Sequence, residues 1–151
     1  MGTLRPFNAA DMDAVLAIWL AASIHAHDFI EPGYWEEHLD AMREHYLPAA
    51  EVWVSEVDGA VTGFCALDGG RLAALFVAPE AQGGGIGSNL ATKAQSRRDQ
   101  LELTVYRRNA RAVAFYRRHG FESVREQMDD ATGEPELVMR WQRPSPIAPS
   151  P

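Results

Sequence analysis

Four glycines, Gly83, Gly84, Gly85 and Gly87, separate an apolar run, Leu75-Phe76-Val77-Ala78, from a stretch of helical composition, Ser88-Asn89-Leu90-Ala91-Thr92-Lys93-Ala94. A strand, a glycine-rich turn and a helix N-terminus in that order make an anion site. Glycine lets the backbone turn sharply and come close to a ligand. The unpaired N–H groups of the first helical turn and the positive end of the helix dipole then face outward. Taken alone, a glycine run fits a loose surface loop before an ordinary helix equally well. The rest of the chain has to decide between the two.

Two better-known glycine signatures fail on spacing. A P-loop ends in Gly-Lys followed by Ser or Thr, and here Gly87 is followed directly by Ser88. A dinucleotide fingerprint starting at Gly83 needs Gly or Ala where Ser88 stands, and one starting at Gly85 needs it at Leu90.

The elements that must carry this loop follow from periodicity. Thr3 to Phe7 reads as a short strand that Pro6 confines to an edge or an end. Asn8 or Asp11 can cap a helix whose apolar stripe is Met12, Val15, Leu16, Trp19, Ala22 and Ala26. Pro32-Gly33 closes that region, and a second helix with Trp35, Leu39, Met42 and Tyr46 on one face runs to Pro48. Glu51–Val57 and Ala60–Leu67 are strands joined by the hairpin signal Asp58-Gly59. Arg71–Val77 is the strand that feeds the glycine loop, and the helix after the loop turns Ile86, Leu90 and Ala94 inward.

Leu101, Leu103 and Val105 alternate with polar residues as a strand. Asn109 caps a helix that Gly120 stops. Two more strands follow from Phe121, and in the last Leu137, Met139 and Trp141 alternate with Glu136, Val138 and Arg140. Hairpins first and crossovers later predict a mixed α/β domain over residues 1–143, with a Pro-rich extended tail over 144–151.

Composition narrows the function. Hydrophobic residues at 46% and charged residues at 23% suit a soluble globular domain. A net charge of −7 argues against a nucleic-acid binder and fits a cationic substrate. Cys65 is the one cysteine, which rules out an intramolecular disulfide and fits a reducing cytoplasm. No basic-then-apolar leader is legible and no apolar run reads as membrane-spanning, so a cytoplasmic protein without membrane contact is expected.

Gln82-x-x-Gly85-x-Gly87 after Leu75-Phe76-Val77-x-Pro79 is joined downstream by Asn109-x-x-Ala112-x-x-Phe115-Tyr116-x-x-x-Gly120-Phe121. Together these resemble the GNAT superfamily of N-acetyltransferases, over a span from Leu4 to Trp141. The Asp28-Phe29 region and the run of elements look most like its YjaB-like bacterial branch. The resemblance implies a mostly antiparallel central sheet with one parallel, splayed strand pair, flanked by helices. It also implies acetyl-coenzyme A as cosubstrate, no metal, and an amine acceptor, either a small molecule or a lysine side chain.

On that resemblance, Leu75, Phe76 and Val77 present backbone groups to the pantetheine arm, and a backbone N–H of Phe76 or Val77 stabilises the oxyanion. Gln82, Gly83, Gly84, Gly85, Ile86, Gly87 and Ser88 surround the pyrophosphate. Asn109 caps its helix and touches the cofactor arm, and Ala112 keeps the helix surface low beside it. Tyr116 stands at the general-acid position, where a hydroxyl of reference pKa about 10 can protonate the leaving thiolate. The alternative for Phe115-Tyr116 is an aromatic core pair.

The base is not legible. Many members of the family carry a carboxylate on the strand before the loop, and this chain has Ala73 and Ala74 there. A water chain, His27, Asp28 and Glu56 are the remaining options. His27 and Phe29 are expected near the acceptor, with Trp19, Tyr34, Trp35 and Tyr46 as further aromatics that could line its pocket. A His25-x-His27 metal pair lacks further ligands. Cys65, mid-strand, reads as a small buried residue rather than a nucleophile, which favours direct attack in a ternary complex. The alternative is a non-catalytic acyl-coenzyme A sensor. The oligomeric state, monomer or homodimer, is left open.

Overall fold

Asp58 and Gly59 take φ values of 52° and 81°. This is the pair of left-handed residues that a two-residue hairpin needs. The turn joins β2 (Glu51–Val57) to β3 (Ala60–Asp68), and Gly69, at φ 57°, turns β3 back into β4 (Arg71–Val77). These strands are the middle of a seven-stranded sheet in the order β1-β2-β3-β4-β5-β7-β6. The edge strand β1 is Thr3–Pro6, and the later strands are β5 (Gln100–Tyr106), β6 (Glu122–Asp129) and β7 (Glu134–Gln142). The chain is seen as a computed structural model that describes residues 2–144. Except for Pro144, the expected tail lies outside the described residues.

Every neighbouring strand pair is antiparallel except β4 and β5, which run parallel and share the single register pair Arg71↔Glu102. Glu102 N–H donates to the Gly70 carbonyl at 2.9 Å at the same end. Beyond that point the two strands diverge, and the sheet opens between Val77 and Tyr106.

Helices cover both faces. On one lies α1 (Met12–Ala26), entered through a 3-10 turn at Ala9–Asp11. Asn8 caps that turn: its side chain accepts from Ala10 N–H, while Asp11 accepts from Asn8 N–H at 2.9 Å. Arg5 locks the corner, reaching Asp11 at 2.8 Å and Glu56 at 2.9 Å. Val15, Leu16, Ile18 and Trp19 of α1 are buried against Val52, Val54 and Phe64 of the sheet. By length and composition Ala9–Ala26 could also serve as a membrane span, contrary to the sequence reading. In this fold its apolar stripe is instead used against the sheet.

The expected second helix is broken into α2 (Pro32–Glu36), a turn at Leu39–Ala41, a π-turn at Met42–Tyr46 and a last turn at Leu47–Ala49. The π-turn rotates the apolar stripe by its extra residue. Leu47 is therefore buried where the sequence placed Tyr46, and Tyr46 is 62% exposed.

On the opposite face, α3 (Ile86–Arg97) and α4 (Ala110–Arg118) pack on Cys65, Leu67, Leu72, Leu101, Leu103, Val105 and Met139. Gly63 allows α3 to come this close. A Cβ there would meet the Phe76 carbonyl oxygen at 2.9 Å and the Leu90 side chain at 3.1 Å. Glu51 ties the far end of α3 to β2, accepting from Arg97 at 2.6 Å and Arg98 at 3.1 Å, and these cations hold its carboxyl at about 2. Val138 alternates with Met139 on β7, yet both are buried, because neither face of β7 is left fully open. Val138 lies across from Thr104 and Arg125, under the polar side chains of the β5–β7–β6 face.

Candidate active site

The gap between β4 and β5 is the throat of a cavity of about 870 Å³ whose walls come from both faces of the sheet. At one end stands the glycine loop. Gly83 and Gly85 have φ of 86° and 87°, and Gly85 is the left-handed residue immediately before α3. With no side-chain cap at this helix start, its first N–H groups stay free to meet an anion. Gln82, Gly83, Gly85, Ile86, Gly87 and Ser88 line the cavity, and Gly84 does not. Gly87 has a structural reason beyond the one the sequence offered. A Cβ there would lie 3.3 Å from the Phe115 ring, so this glycine also lets α3 pack against α4.

β4 supplies one wall through Leu75, Phe76 and Val77. Ala78 N–H donates to the Thr62 carbonyl on β3. Antiparallel alternation turns the Phe76 backbone the same way and leaves Leu75 and Val77 facing the gap. The Val77 carbonyl accordingly accepts from the Gln82 side chain at 3.2 Å. Of the two oxyanion donors considered from sequence, Phe76 N–H is therefore turned toward β3, and Phe76 reaches the cavity through its side chain.

α4 supplies the other wall. Asn109 accepts from Ala112 N–H at 3.3 Å, capping the helix as its sequence predicts, and Asn109, Ala112 and Tyr116 all line the cavity. Tyr116 packs edge-on against Phe115 and Phe121. Its hydroxyl has no protein partner among the described residues, yet it is not among the fully enclosed unpaired atoms, so it opens on the cavity. Burial pushes its pKa above the ordinary tyrosine value, which keeps the proton on the oxygen. Cys65, fully buried on β3, is pushed up to about 12 by desolvation and offers no thiolate.

At the far end the cavity is walled by Trp19, Ala22, His25, Ala26, His27 and Trp35 on one side and by Tyr106, Asp129 and Glu136 on the other. His27 is 7% exposed, stacked on Trp35 with ring centroids 4.9 Å apart, and its pKa is lowered, chiefly by desolvation. Phe29 does not line the cavity. It packs edge-on behind His27 and Tyr106 with Arg108 over its ring, and so supports the wall rather than forming it. Tyr34 and Tyr46 are likewise outside. Of the bases considered from sequence, Glu56 is bound to Arg5 at the β1 edge, and Asp28 is not in the wall.

Sequence reasoning missed the two carboxylates. Asp129 accepts from the Tyr106 hydroxyl at 2.5 Å, from Thr132 at 3.1 Å and from Ala131 N–H at 3.1 Å. Glu136 lies opposite Tyr106 on β7 and accepts from Gln127 at 2.9 Å. Strand parity could have found them: Tyr106 and Glu136 share the sheet face opposite Leu103, Val105 and Leu137. Among the described residues no group of three metal-ligating side chains occurs.

A parallel pair splayed over a glycine-loop helix, with a capping asparagine and a tyrosine across the gap, defines an acyl-coenzyme A-dependent acetyltransferase. The profile of the acetyltransferase (GNAT) domain matches residues 48–123, and the chain belongs to that family. It is 38% identical to the peptidyl-lysine N-acetyltransferase YiaC of Escherichia coli over 91% of this chain and 95% of that protein. It is 33% identical to the peptidyl-lysine N-acetyltransferase YjaB of Salmonella typhimurium over 89% and 93%. Among solved structures, apo YjaB from Escherichia coli superposes with a TM-score of 0.82 at 29% identity, covering 95% of this chain and 99% of that one. The PaiA N-acetyltransferase from Thermoplasma acidophilum, solved with coenzyme A, shares the fold at a TM-score of 0.78 and 17% identity, over 94% and 99%. The chain is thus an N-acetyltransferase of the GNAT class.

Proposed function

We propose that this enzyme transfers the acetyl group of acetyl-coenzyme A to the side-chain amine of lysine residues in proteins. The observation that carries the acceptor reading is the pair of carboxylates, Asp129 and Glu136, at the end of the cavity away from the glycine loop. A protonated amine is attracted there, whereas a neutral or anionic acceptor gains nothing. The two relatives named as peptidyl-lysine N-acetyltransferases support the same acceptor class. Residues 1–143 act as one catalytic domain, with 144–151 as its Pro-rich tail, in the cytoplasm.

The cosubstrate supplies an activated thioester. Gln82–Ser88 and the first turn of α3 hold the pyrophosphate through backbone N–H groups. Leu75 and Val77 hydrogen-bond the extended arm from the open edge of β4, and Asn109 and Ala112 border it from α4. The amine nitrogen attacks the thioester carbon, and the oxygen that gains charge is met by Val77 N–H. As the carbon–sulfur bond breaks, the Tyr116 hydroxyl gives its proton to sulfur. Before the attack the ammonium gives a proton to Glu136, since only the free amine has a lone pair, and the second proton that the nitrogen sheds as the intermediate collapses balances the one Tyr116 gives to sulfur. Glu136 is the freer of the two acids, because Asp129 is held by three donors and Glu136 by Gln127. With Cys65 protonated and sealed off, transfer is direct and needs no acyl-enzyme.

The test is a steady-state comparison of wild type with Tyr116→Phe, together with mass spectrometry of acetylated protein targets. Tyr116→Phe should lower kcat by about 10²- to 10⁴-fold while binding of coenzyme A persists. Undiminished kcat would remove Tyr116 from the mechanism. Acetylation of free small amines with no lysine product would remove the protein acceptor.

A further inference from the structure

His27 is the C-cap of α1 and Asn109 the N-cap of α4, yet they meet across the cavity, with Asn109 Nδ2 3.3 Å from His27 Nε2. The roles in this contact are fixed by a neighbour. Asn109 Oδ1 accepts from Ala112 N–H, and a backbone N–H can only donate, so the other end of the amide is its NH₂. An NH₂ group facing Nε2 needs an acceptor there. His27 therefore carries its proton on Nδ1, and its Nε2 lone pair holds one of the two Asn109 hydrogens.

Two further facts single this contact out. Both residues line the cavity, so the second Nδ2 hydrogen stands at its wall. His27 Nδ1 is shut off from solvent without a full hydrogen bond, and besides Asn109 the ring's polar support is the Ser23 backbone, which favours a proton on the ring but is outweighed by burial. Nothing facing the ring favours an imidazolium by a direct charge contact. The stacked and edge-on neighbours are Trp35, Phe29 and Tyr106. The Tyr106 hydroxyl is spent on Asp129, and Arg108 sits over Phe29 and pairs with Glu134. Nearest in the chain are His25, on the last turn of α1, and Asp28, and α2 brings Tyr34 beside Trp35.

We propose that His27 is a positioning residue for the cosubstrate: its neutral ring holds one amide hydrogen of Asn109 and thereby points the other at a carbonyl of the pantetheine arm. Protonation puts a hydrogen on Nε2, sets donor against donor, and releases the amide. Cosubstrate affinity is then coupled to the charge of a residue on the opposite side of the cleft. The lowered pKa, caused mainly by burial, keeps the ring in the competent form at neutral pH. The coupling rests on the cofactor site described above, and it removes His27 from the candidates for general base, since its cleft-facing lone pair is occupied.

The experiment is calorimetric titration of the full-length protein with coenzyme A between pH 5.5 and 7.5, for wild type, His27→Gln and His27→Leu. The tautomer of His27 is read separately from the ring nitrogen shifts by NMR. Loss of one hydrogen bond is worth about tenfold in affinity. Wild type should weaken on acidification by about that factor more than His27→Gln, which keeps an uncharged acceptor. His27→Leu should bind weakly and follow His27→Gln in its pH dependence. Titration of the coenzyme A phosphates is common to all three proteins and cancels in the comparison. Parallel curves for wild type and His27→Gln, or a His27 proton on Nε2 at neutral pH, would overturn the coupling while leaving the cofactor site intact. Failure of wild type to bind coenzyme A at any pH would overturn both.

Discussion

The two ends of the cleft are built from different materials. The glycine-loop end is made of backbone: a turn with two left-handed glycines, the open N-terminus of α3 and the free edge of β4. The opposite end, proposed above to take the acceptor, is made of side chains from α1, α2, β5, β6 and β7. Backbone geometry tolerates little substitution at the few positions that need it and is indifferent elsewhere. A side-chain wall can exchange its members one at a time and change what it admits. The same fold can therefore keep one cosubstrate while its acceptor varies.

That contrast is open to attack, most severely at Gly85. Gly85→Val places a β-branched residue at φ 87°, a conformation costing such a residue about 1–3 kcal/mol. Coenzyme A affinity should fall by about 100-fold or more. Retained binding by calorimetry would mean that the loop is not a backbone cradle. At the other end, Glu136→Lys should raise KM for a lysine peptide by about 10- to 100-fold, since a like charge replaces an attractive one in a partly buried site. KM for acetyl-coenzyme A should stay within about twofold. A common rise in both would mean that the two ends are not separable.

Gly63 probes the scaffold that both ends share. Gly63→Ala should cost about 1–3 kcal/mol of stability, because its Cβ would crowd a backbone oxygen of β4. A thermal melt reads this, and kcat per folded molecule should change little.

The smallest effect concerns His27 and pH. Its folded pKa lies below the unfolded value of about 6.5. The unfolded chain therefore binds more protons between those two values, and stability rises with pH through that window and is flat above it. His27→Leu should flatten the same stretch of a melting profile. A wild-type profile with no slope below pH 6.5 attributable to His27 would mean that the ring is not buried neutral.

Much of the glycine-loop end was legible from residue order, because each part of it is local. Gly85 needs its left-handed φ within its own turn, Asn109 caps the helix that begins at the next residue, and Asp58-Gly59 makes its hairpin from two residues. Elements whose outcome depended on partners were read less well. Tyr46 was put on one face with Trp35, Leu39 and Met42 by a helical period that the π-turn breaks, Val138 is buried although it alternates with the buried Met139, and Phe29 stands behind the wall it was expected to form.

By itself the amino-acid order determined the strand–loop–helix with its uncapped helix start, the strand–helix that brings Asn109 and Tyr116 to one wall, and the absence of a carboxylate at Ala73 and Ala74. These are properties of neighbours in the chain, governed by φ, capping and period. Only the tertiary structure decided that β4 and β5 part after one register pair. It also decided that Asp129 and Glu136 line the cavity away from the glycine loop, and that His27 meets Asn109 across 82 positions of sequence. Such contacts arise from sheet order and helix packing, which bring together side chains whose separation along the chain carries no period for a reader to follow.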